Sequence, residues 1–508
     1  MMPPQILSDF DISAKMQKCV KLGKCVKLGY QYLVNHFVAF ILVPILVILS
    51  IQVPNCGLRE ILPNFNCLQS DHIQILSCSF FVIFLSTIYN LSKPRTLYLV
   101  DFACYKAPAA LRVTSGAFTE HSKIIFEAEP KSFEFQQKVL ERTGLGEETC
   151  LPPALHLIPP DPTLEASREE AEMVIFSALD SLFLKTGLSP KDIDILVVNT
   201  SFCSLTPSLS SVVINKFKMK DGVKSFNILG MGCSGSLVSI SLVRDLLQVH
   251  PSYNAVVVSA ELVTIGYYKG KERSMLVPNC LFRMGGAAIY FSTRKSFGNF
   301  EAKYRLLHLL RRNTASDDRS YNCVYLKEDQ KGNLGVWLSK ELMAVAGEGL
   351  KLNLTALGPL VLPASEKLLY LVNLIARKIF SHRWRPYIPD FKQAFEHFCI
   401  HAGGRAVIDG VQDSLQLSME QVEASRSTLH RFGNTSSSSL WYVMSYLEAK
   451  GRMKKRDRIL QISFGSGYKC NTAVWECIET VETPSGGPWM DCIDKYPACL
   501  PRVIKSTH

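Results

Sequence analysis

Charge is scarce in this chain: Asp, Glu, Lys and Arg supply 20% of its 508 residues, against 47% hydrophobic ones. A chain unable to bury a core shows the opposite balance, so disorder is excluded. No two of the 16 cysteines are spaced C-x-x-C, which removes zinc ribbons and thioredoxin-like redox motifs. Their irregular scatter over so long a chain also excludes a small secreted disulfide scaffold, and most are expected to be buried free thiols. Missing too is any arginine-rich arm or basic repeat interleaved with aromatics. The net charge of +11 therefore points to anionic lipid or an acidic metabolite rather than to nucleic acid.

Two apolar stretches lie near the start. Residues 37–53 (FVAFILVPILVILSIQV) carry no charge, and neither do residues 73–91 (IQILSCSFFVIFLSTIYNL). Each is long enough to cross a hydrocarbon core as a helix, the first only just, and Pro44 is tolerated in such a span. A signal peptide fits poorly, because the first run starts late and no small-residue cleavage site follows it. Lys15, Lys18, Lys21, Lys24 and Lys27 precede the first run, and Lys93, Arg95 and Lys106 follow the second, while the connecting loop offers only Arg59. The positive-inside rule then predicts both ends, and the body that follows, on the cytosolic side. Residues 1–92 are thus expected to be a two-helix transmembrane anchor.

Past residue 93 short β-branched runs alternate with amphipathic helices, as in an α/β fold. Met173, Phe176, Leu179 and Leu182 recur at helical spacing up to Gly187, and Ile193–Val198 reads as a buried strand. A second unit comprises a strand at 226–229, a helix at 234–248 and a strand at 255–258. The C-terminal part repeats the pattern, with strands predicted at 395–400 and 458–464 and helices at 405–415 and 437–450. Two halves, 93–300 and 301–508, are expected. Between their strands the apolar helix candidate at 367–380 has three readings: a tunnel cover, an element on the bilayer surface, or ordinary core.

The stretch Asn227-Ile228-Leu229-Gly230-Met231-Gly232-Cys233-Ser234 takes a strand through a glycine turn and sets a cysteine where a helix begins. The helix dipole there favours a thiolate, so Cys233 is expected to be a nucleophile near neutral pH. His401 stands at a strand end before Ala402-Gly403-Gly404, and Asn434 in the turn Gly433-Asn434-Thr435-Ser436 before another helix. Strand-to-helix junctions gather at one end of a sheet, so the three polar groups can meet there.

The sequence resembles the plant-type 3-ketoacyl-CoA synthases, the condensing enzymes of very-long-chain fatty acid elongation. The matching words are VDFACYKAP (100–108), GLGEET (144–149), NILGMGCS (227–234), NCLFRMGGAA (279–288), LGPLVLP (357–363), HFCIHAGGRAVID (397–409), STLHRFGNTSSSSLWY (427–442) and FGSGYKCNTAVW (464–475). Together they span about residues 90–477. The resemblance implies a thiolase-like body of five αβαβα layers in two related halves, commonly a homodimer. It implies Cys233, His401 and Asn434 as the catalytic trio, with His397 and His430 as supporting active-site candidates. Long-chain acyl-CoA and malonyl-CoA are the implied substrates, with no metal or redox cofactor. A ketoacyl reductase, a dehydratase and an enoyl reductase of an elongation complex are the implied partners, at the endoplasmic reticulum membrane.

Two positions depart from the family pattern. Asn313 stands where a histidine is usual, and Cys150 follows GLGEET where an aromatic is usual. The rival readings are a starter-CoA polyketide synthase or Cys-His-Asn hydrolase on a similar trio, and a catalytically silent partner of an elongation complex. Asn313 is the only support for the silent partner.

Overall fold

Ile195-Leu196-Val197-Val198 and Ala255-Val256-Val257-Val258 are unbroken apolar runs, and the reason is that both faces of these strands are covered. Ile195, Val197, Ala255 and Val257 point into one apolar cluster. Leu196, Val198, Val256 and Val258 point into another, on the opposite face. A strand buried on both sides has no polar alternation to show.

The computed structural model describes residues 79–89, 94–202, 204–297, 300–379, 387–484 and 486–498. They fall into two compact units, Met1–Pro94 and Arg95–His508. In the first, residues 79–89 form a helix on which Phe80, Ile83 and Phe84 are exposed. None of the described helices is long and apolar enough to cross a membrane. The expected span 37–53 lies outside the described residues, as do residues 73–78 and 90–91 of the second span.

The second unit is built on nine strands: β1 (Tyr98–Cys104), β2 (Ile195–Thr200), β3 (Lys224–Leu229), β4 (Ala255–Glu261), β5 (Gly285–Ser292), β6 (Tyr304–Asn313), β7 (His397–Ile400), β8 (Arg458–Gly465) and β9 (Lys469–Cys477). They form a mixed sheet in the order β7-β8-β9-β6-β1-β5-β4-β2-β3. The pairing repeats. β4 is parallel to β2 and antiparallel to β5, which is antiparallel to β1. β8 is likewise parallel to β7 and antiparallel to β9, which is antiparallel to β6. The two sets join where Tyr98 and Leu99 of β1 pair with Arg305 and Tyr304 of β6. β3 has no described counterpart in the second set, and it forms an edge of the sheet.

Helices fill three places. Leu164–Thr186 packs Val174, Ile175, Leu179 and Leu182 on the outer face of the first set. Leu342–Val361 and Arg405–Leu415 cover the outer face of the second. Gly235–Val249 and Ser439–Ala449 lie in the cluster shared by both, where Leu237, Ile240 and Val243 meet Trp441, Val443 and Met444. Trp441 is fully buried and donates from Nε1 to Ser236 Oγ at 2.7 Å, so its polar atom costs nothing to bury. A buried ionic group also ties the sets: Lys303 lies 3.0 Å from Asp101 of β1 and 3.2 Å from Glu448 of the Ser439–Ala449 helix.

The helix candidate at 367–380 corresponds to Ala364–Ile379, and it is not core: Leu368, Leu371, Val372, Ile375 and Ile379 are all exposed. Helical period alone could not reveal this, because it marks an apolar stripe without saying what the stripe faces.

Candidate active site

β3 ends at Leu229, and the chain then turns through Gly230 and Gly232 at φ +67° and +59°, a region costly for other residues. A side chain on Gly232 would also meet the backbone nitrogen of Ser466 at 2.6 Å. Glycine here lets the turn seat against the β8–β9 turn. Cys233 follows in a short 3-10 turn, Gly232–Ser234, ahead of the Gly235–Val249 helix.

The thiol is held by groups far away in sequence. Ser436 Oγ lies 3.4 Å from Cys233 Sγ and 2.8 Å from Glu261 Oε2. Glu261 closes β4 and is fully buried. Its Oε1 accepts from Ser201 N at 2.9 Å, Phe202 N at 3.2 Å and Thr200 Oγ1 at 3.2 Å. Burial pushes its carboxyl up, against the pull of these hydrogen bonds. Ser436 has one hydroxyl proton for two neighbours, so when it donates to Glu261 its oxygen is free to accept from the thiol. It holds this place at φ +53°, a left-handed conformation that costs a non-glycine residue about 1–3 kcal/mol.

This environment corrects one expectation. Burial pushes the Cys233 thiol up to about 12; the Ser436 hydrogen bond opposes the shift and nearby Glu261 adds to it. The resting nucleophile is a thiol, not the thiolate that a helix start alone would favour. Desolvation outweighs the dipole because the group lies below the surface, where charge loses its water. Alkylation of Cys233 by iodoacetamide is accordingly expected to accelerate about tenfold per pH unit between about pH 7 and 10, since only the thiolate reacts. Quantifying the modified Cys233 peptide by mass spectrometry checks this, and a plateau near pH 8 would contradict it.

Asn434 is clamped from both sides. Its backbone N–H donates to Leu281 O at 3.0 Å, and its carbonyl accepts from Arg283 N at 3.0 Å. Its side-chain Oδ1 accepts from Ser436 N at 2.8 Å, and Nδ2 donates to Gly403 O at 3.1 Å. These two bonds fix which way the amide points, and they leave one Nδ2 hydrogen unclaimed. His401, at the end of β7, is buried, and its Nδ1 lies 2.6 Å from Ser439 Oγ. Burial lowers its pKa to about 3, so the imidazole is neutral. If Ser439 donates in this contact, the imidazole proton is on Nε2. Gly403 N donates to the His401 backbone carbonyl at 2.8 Å, so separate hydrogen bonds tie the His401 backbone to Gly403, Gly403 to Asn434, Asn434 to Ser436 N, and Ser436 Oγ to Cys233.

The two supporting histidines are placed elsewhere. His397 opens β7 and pairs through Nε2 with Asp457 Oδ2 at 2.8 Å. His401 follows the other end of that strand, roughly 13 Å along the chain direction at about 3.3 Å per residue. His430 turns its ring to Gly146, where a side chain would strike it, and lies 2.9 Å from Tyr496 Oη. It lines a cleft of about 460 Å³ with Glu147, Arg405, Arg426 and Lys495. Among the described hydrogen bonds, neither ring reaches Cys233, His401 or Asn434. Asn313 is exposed and closes a turn by accepting from Ala315 N at 3.0 Å. Cys150 is buried, with Sγ 3.7 Å from Glu148 O.

Sequence reasoning missed Glu261, Ser436 and Ser439. A carboxylate closing a buried apolar strand and a run of four serines, 436–439, one residue beyond Asn434 were the available signals.

A mixed α/β body whose cysteine turn, histidine loop and asparagine loop meet in this way defines the class of thiolase-like condensing enzymes. The fold agrees with a solved structure, the C-terminal type III polyketide synthase domain of Steely1 from Dictyostelium. It is 16% identical with a TM-score of 0.59 and covers 75% of this chain and 99% of that one. Residues 89–379 match the family model FAE1/Type III polyketide synthase-like protein. Residues 392–477 match 3-oxoacyl-[acyl-carrier-protein (ACP)] synthase III C terminal. The chain is 61% identical to 3-ketoacyl-CoA synthase 6 of Arabidopsis thaliana, over 99% of this chain and 100% of the relative. It is 60% identical to 3-ketoacyl-CoA synthase 5 of the same plant, over 98% and 100%. The chain belongs to the 3-ketoacyl-CoA synthase family.

Proposed function

We propose that this protein condenses a long-chain acyl-CoA with malonyl-CoA, giving a 3-ketoacyl-CoA two carbons longer, the first step of very-long-chain fatty acid elongation. The observation that carries the chemistry is the oriented Asn434 amide, joined through Ser436 to the half-buried Cys233 thiol and through Gly403 to the backbone of His401, whose imidazole is neutral. Cys233 attacks the acyl thioester; the acyl group passes to sulfur and CoA leaves, taking the thiol proton. Because that proton is held tightly, its removal has to accompany attack, and Ser436 backed by Glu261 offers a route.

In the second half-reaction the malonyl thioester carbonyl takes hydrogen bonds from Asn434 Nδ2 and His401 Nε2. Loss of CO2 leaves an enolate whose oxygen those donors stabilise. Its carbon attacks the acyl-Cys233 carbonyl, the carbon–sulfur bond breaks, and the sulfur regains a proton. A neutral His401 suits this role, since an imidazolium would add a buried charge to the resting site. The cycle is redox-neutral and draws on the two thioesters alone, without metal or redox cofactor.

A homodimer is part of this reading. β3 pairs only with β2, its outward residues are exposed, and the Cys233 turn follows it directly, so a second copy would cover both. The apolar runs at 37–53 and 73–91 support an anchor in the endoplasmic reticulum membrane with a cytosolic body, beside the reductases and dehydratase that complete elongation.

The test is a single-turnover assay of the full chain in detergent or microsomes, with long-chain acyl-CoA and radiolabelled malonyl-CoA. One product, extended by one two-carbon unit with release of CO2, is expected. A multiply extended polyketide, free acid, or no product would overturn the reading.

A further inference from the structure

The Ala364–Ile379 helix is built inside out. Leu368, Leu371, Val372, Ile375 and Ile379 recur at i, i+3, i+4, i+7 and i+11, which sets them on one stripe. All five are exposed, Leu368 at 61% and Ile379 at 68%. The face turned to the protein is instead polar. Glu366 is buried, accepting from Tyr387 Oη at 2.7 Å, Asp390 N at 2.9 Å and Gln393 Nε2 at 3.1 Å. Asn373 Oδ1 accepts from Tyr387 N at 3.0 Å, and Arg377 is half-buried. These bonds fix the helix in the orientation that sends its apolar stripe outward. Water is a poor neighbour for such a stripe, which is wider than the isolated apolar side chains normal on a protein surface.

The charge around the stripe says what the neighbour is. Between residues 364 and 385 there are five basic residues, Lys367, Arg377, Lys378, Arg383 and Arg385, and one acid, Glu366. Glu366 is consumed internally, so the exposed charges of the described helix are the cations Lys367 and Lys378. Exposed Lys367 and Lys378 lie along one border of the stripe, and the sequence places Trp384 between Arg383 and Arg385. An apolar stripe edged by lysines, in a segment whose sequence is basic, suits the headgroup layer of an anionic bilayer. A second copy packed through the same helix would bring the same cations against these, with no matching charge.

We infer that the Ala364–Ile379 helix lies in the interface of an anionic membrane, as a contact of the catalytic body itself and separate from the apolar runs near the N-terminus. The contact holds the body against the phase in which long acyl chains dissolve.

The test uses the full chain in liposomes of phosphatidylcholine, with or without phosphatidylserine. An environment-sensitive fluorescent amino acid replaces Leu371 or Ile375 and, as control, Leu184, which is 90% exposed on another helix. Phospholipid carrying a nitroxide high on its acyl chain is expected to quench the probes at 371 and 375, more strongly with phosphatidylserine present, and to spare the probe at 184. A Val372 probe in the double variant Leu371→Asp, Ile375→Asp is expected to lose that quenching while the protein still floats with the vesicles. Probes at 371 and 375 quenched by aqueous iodide instead would overturn the inference. Probes resistant to both quenchers would also overturn it, pointing to a protein neighbour such as a second copy.

Discussion

Cys233→Ser is expected to reduce condensation by on the order of 10³-fold or more, the scale of loss when a nucleophile is removed from a cooperating site. The thiol already starts high, near 12, because burial disfavours its anion. A serine hydroxyl in the same place would be far harder to ionise and intrinsically a poorer nucleophile towards a thioester. The exchange is close to isosteric, and Ser436 can hydrogen-bond the new hydroxyl, so the fold should survive. The measurement is transfer of radiolabelled acyl groups to purified protein, followed by product analysis. Extension retained at near the parental rate would remove Cys233 from the mechanism.

The second large effect separates the two half-reactions. Asn434→Asp keeps an oxygen to accept from Ser436 N but loses both Nδ2 hydrogens, so the Ser436 bond stays while the donor, and with it the bond to Gly403 O, disappears. Decarboxylation of malonyl-CoA is expected to fall about 10²–10³-fold, as when an oxyanion donor is removed. His401→Ala is expected to cost a similar factor. Acyl transfer to Cys233 should persist in an Asn434 variant, because that step uses the thiol and its proton route. Asn434→Ala is the harsher version, since it also frees Ser436 N and the strained φ of Ser436 that places its hydroxyl. Normal decarboxylation with impaired loading would reverse the assigned role.

Much of the fold was readable because its signals are local. The helix marked by Met173 to Leu182 up to Gly187 and the one expected at 405–415 are observed at Leu164–Thr186 and Arg405–Leu415, since apolar spacing and terminal turn residues mark them directly. Strand ends were less accurate. β2 begins at Ile195 and runs on to Thr200, because Asn199 is kept in the strand by cross-strand bonds to Ser259 Oγ and Val258 O. The motif words are long because their residues hold one another. Arg431 of one pairs with Glu148 of another at 3.0 Å, and Arg283 of a third donates to Thr149 Oγ1 at 3.1 Å.

What the sequence by itself determined is therefore the locally marked elements, β2, β3, β4, β7 and β8 among the strands, and the repeated β/α plan, while its motif words named a candidate cysteine, histidine and asparagine. Only the tertiary structure decided how those groups behave. Ser436 and Glu261 lie 175 positions apart and meet at the thiol, so nothing near Cys233 in sequence announces the burial that keeps it protonated. His397 and His430 read like site residues in their motifs, yet Asp457 and Tyr496, both distant in sequence, hold them elsewhere. The stripe on Ala364–Ile379 has the period of a core helix and faces outward, because the bonds of Glu366 and Asn373 choose its orientation. Spacing is a property of the chain, whereas desolvation and orientation depend on which distant groups the fold brings close.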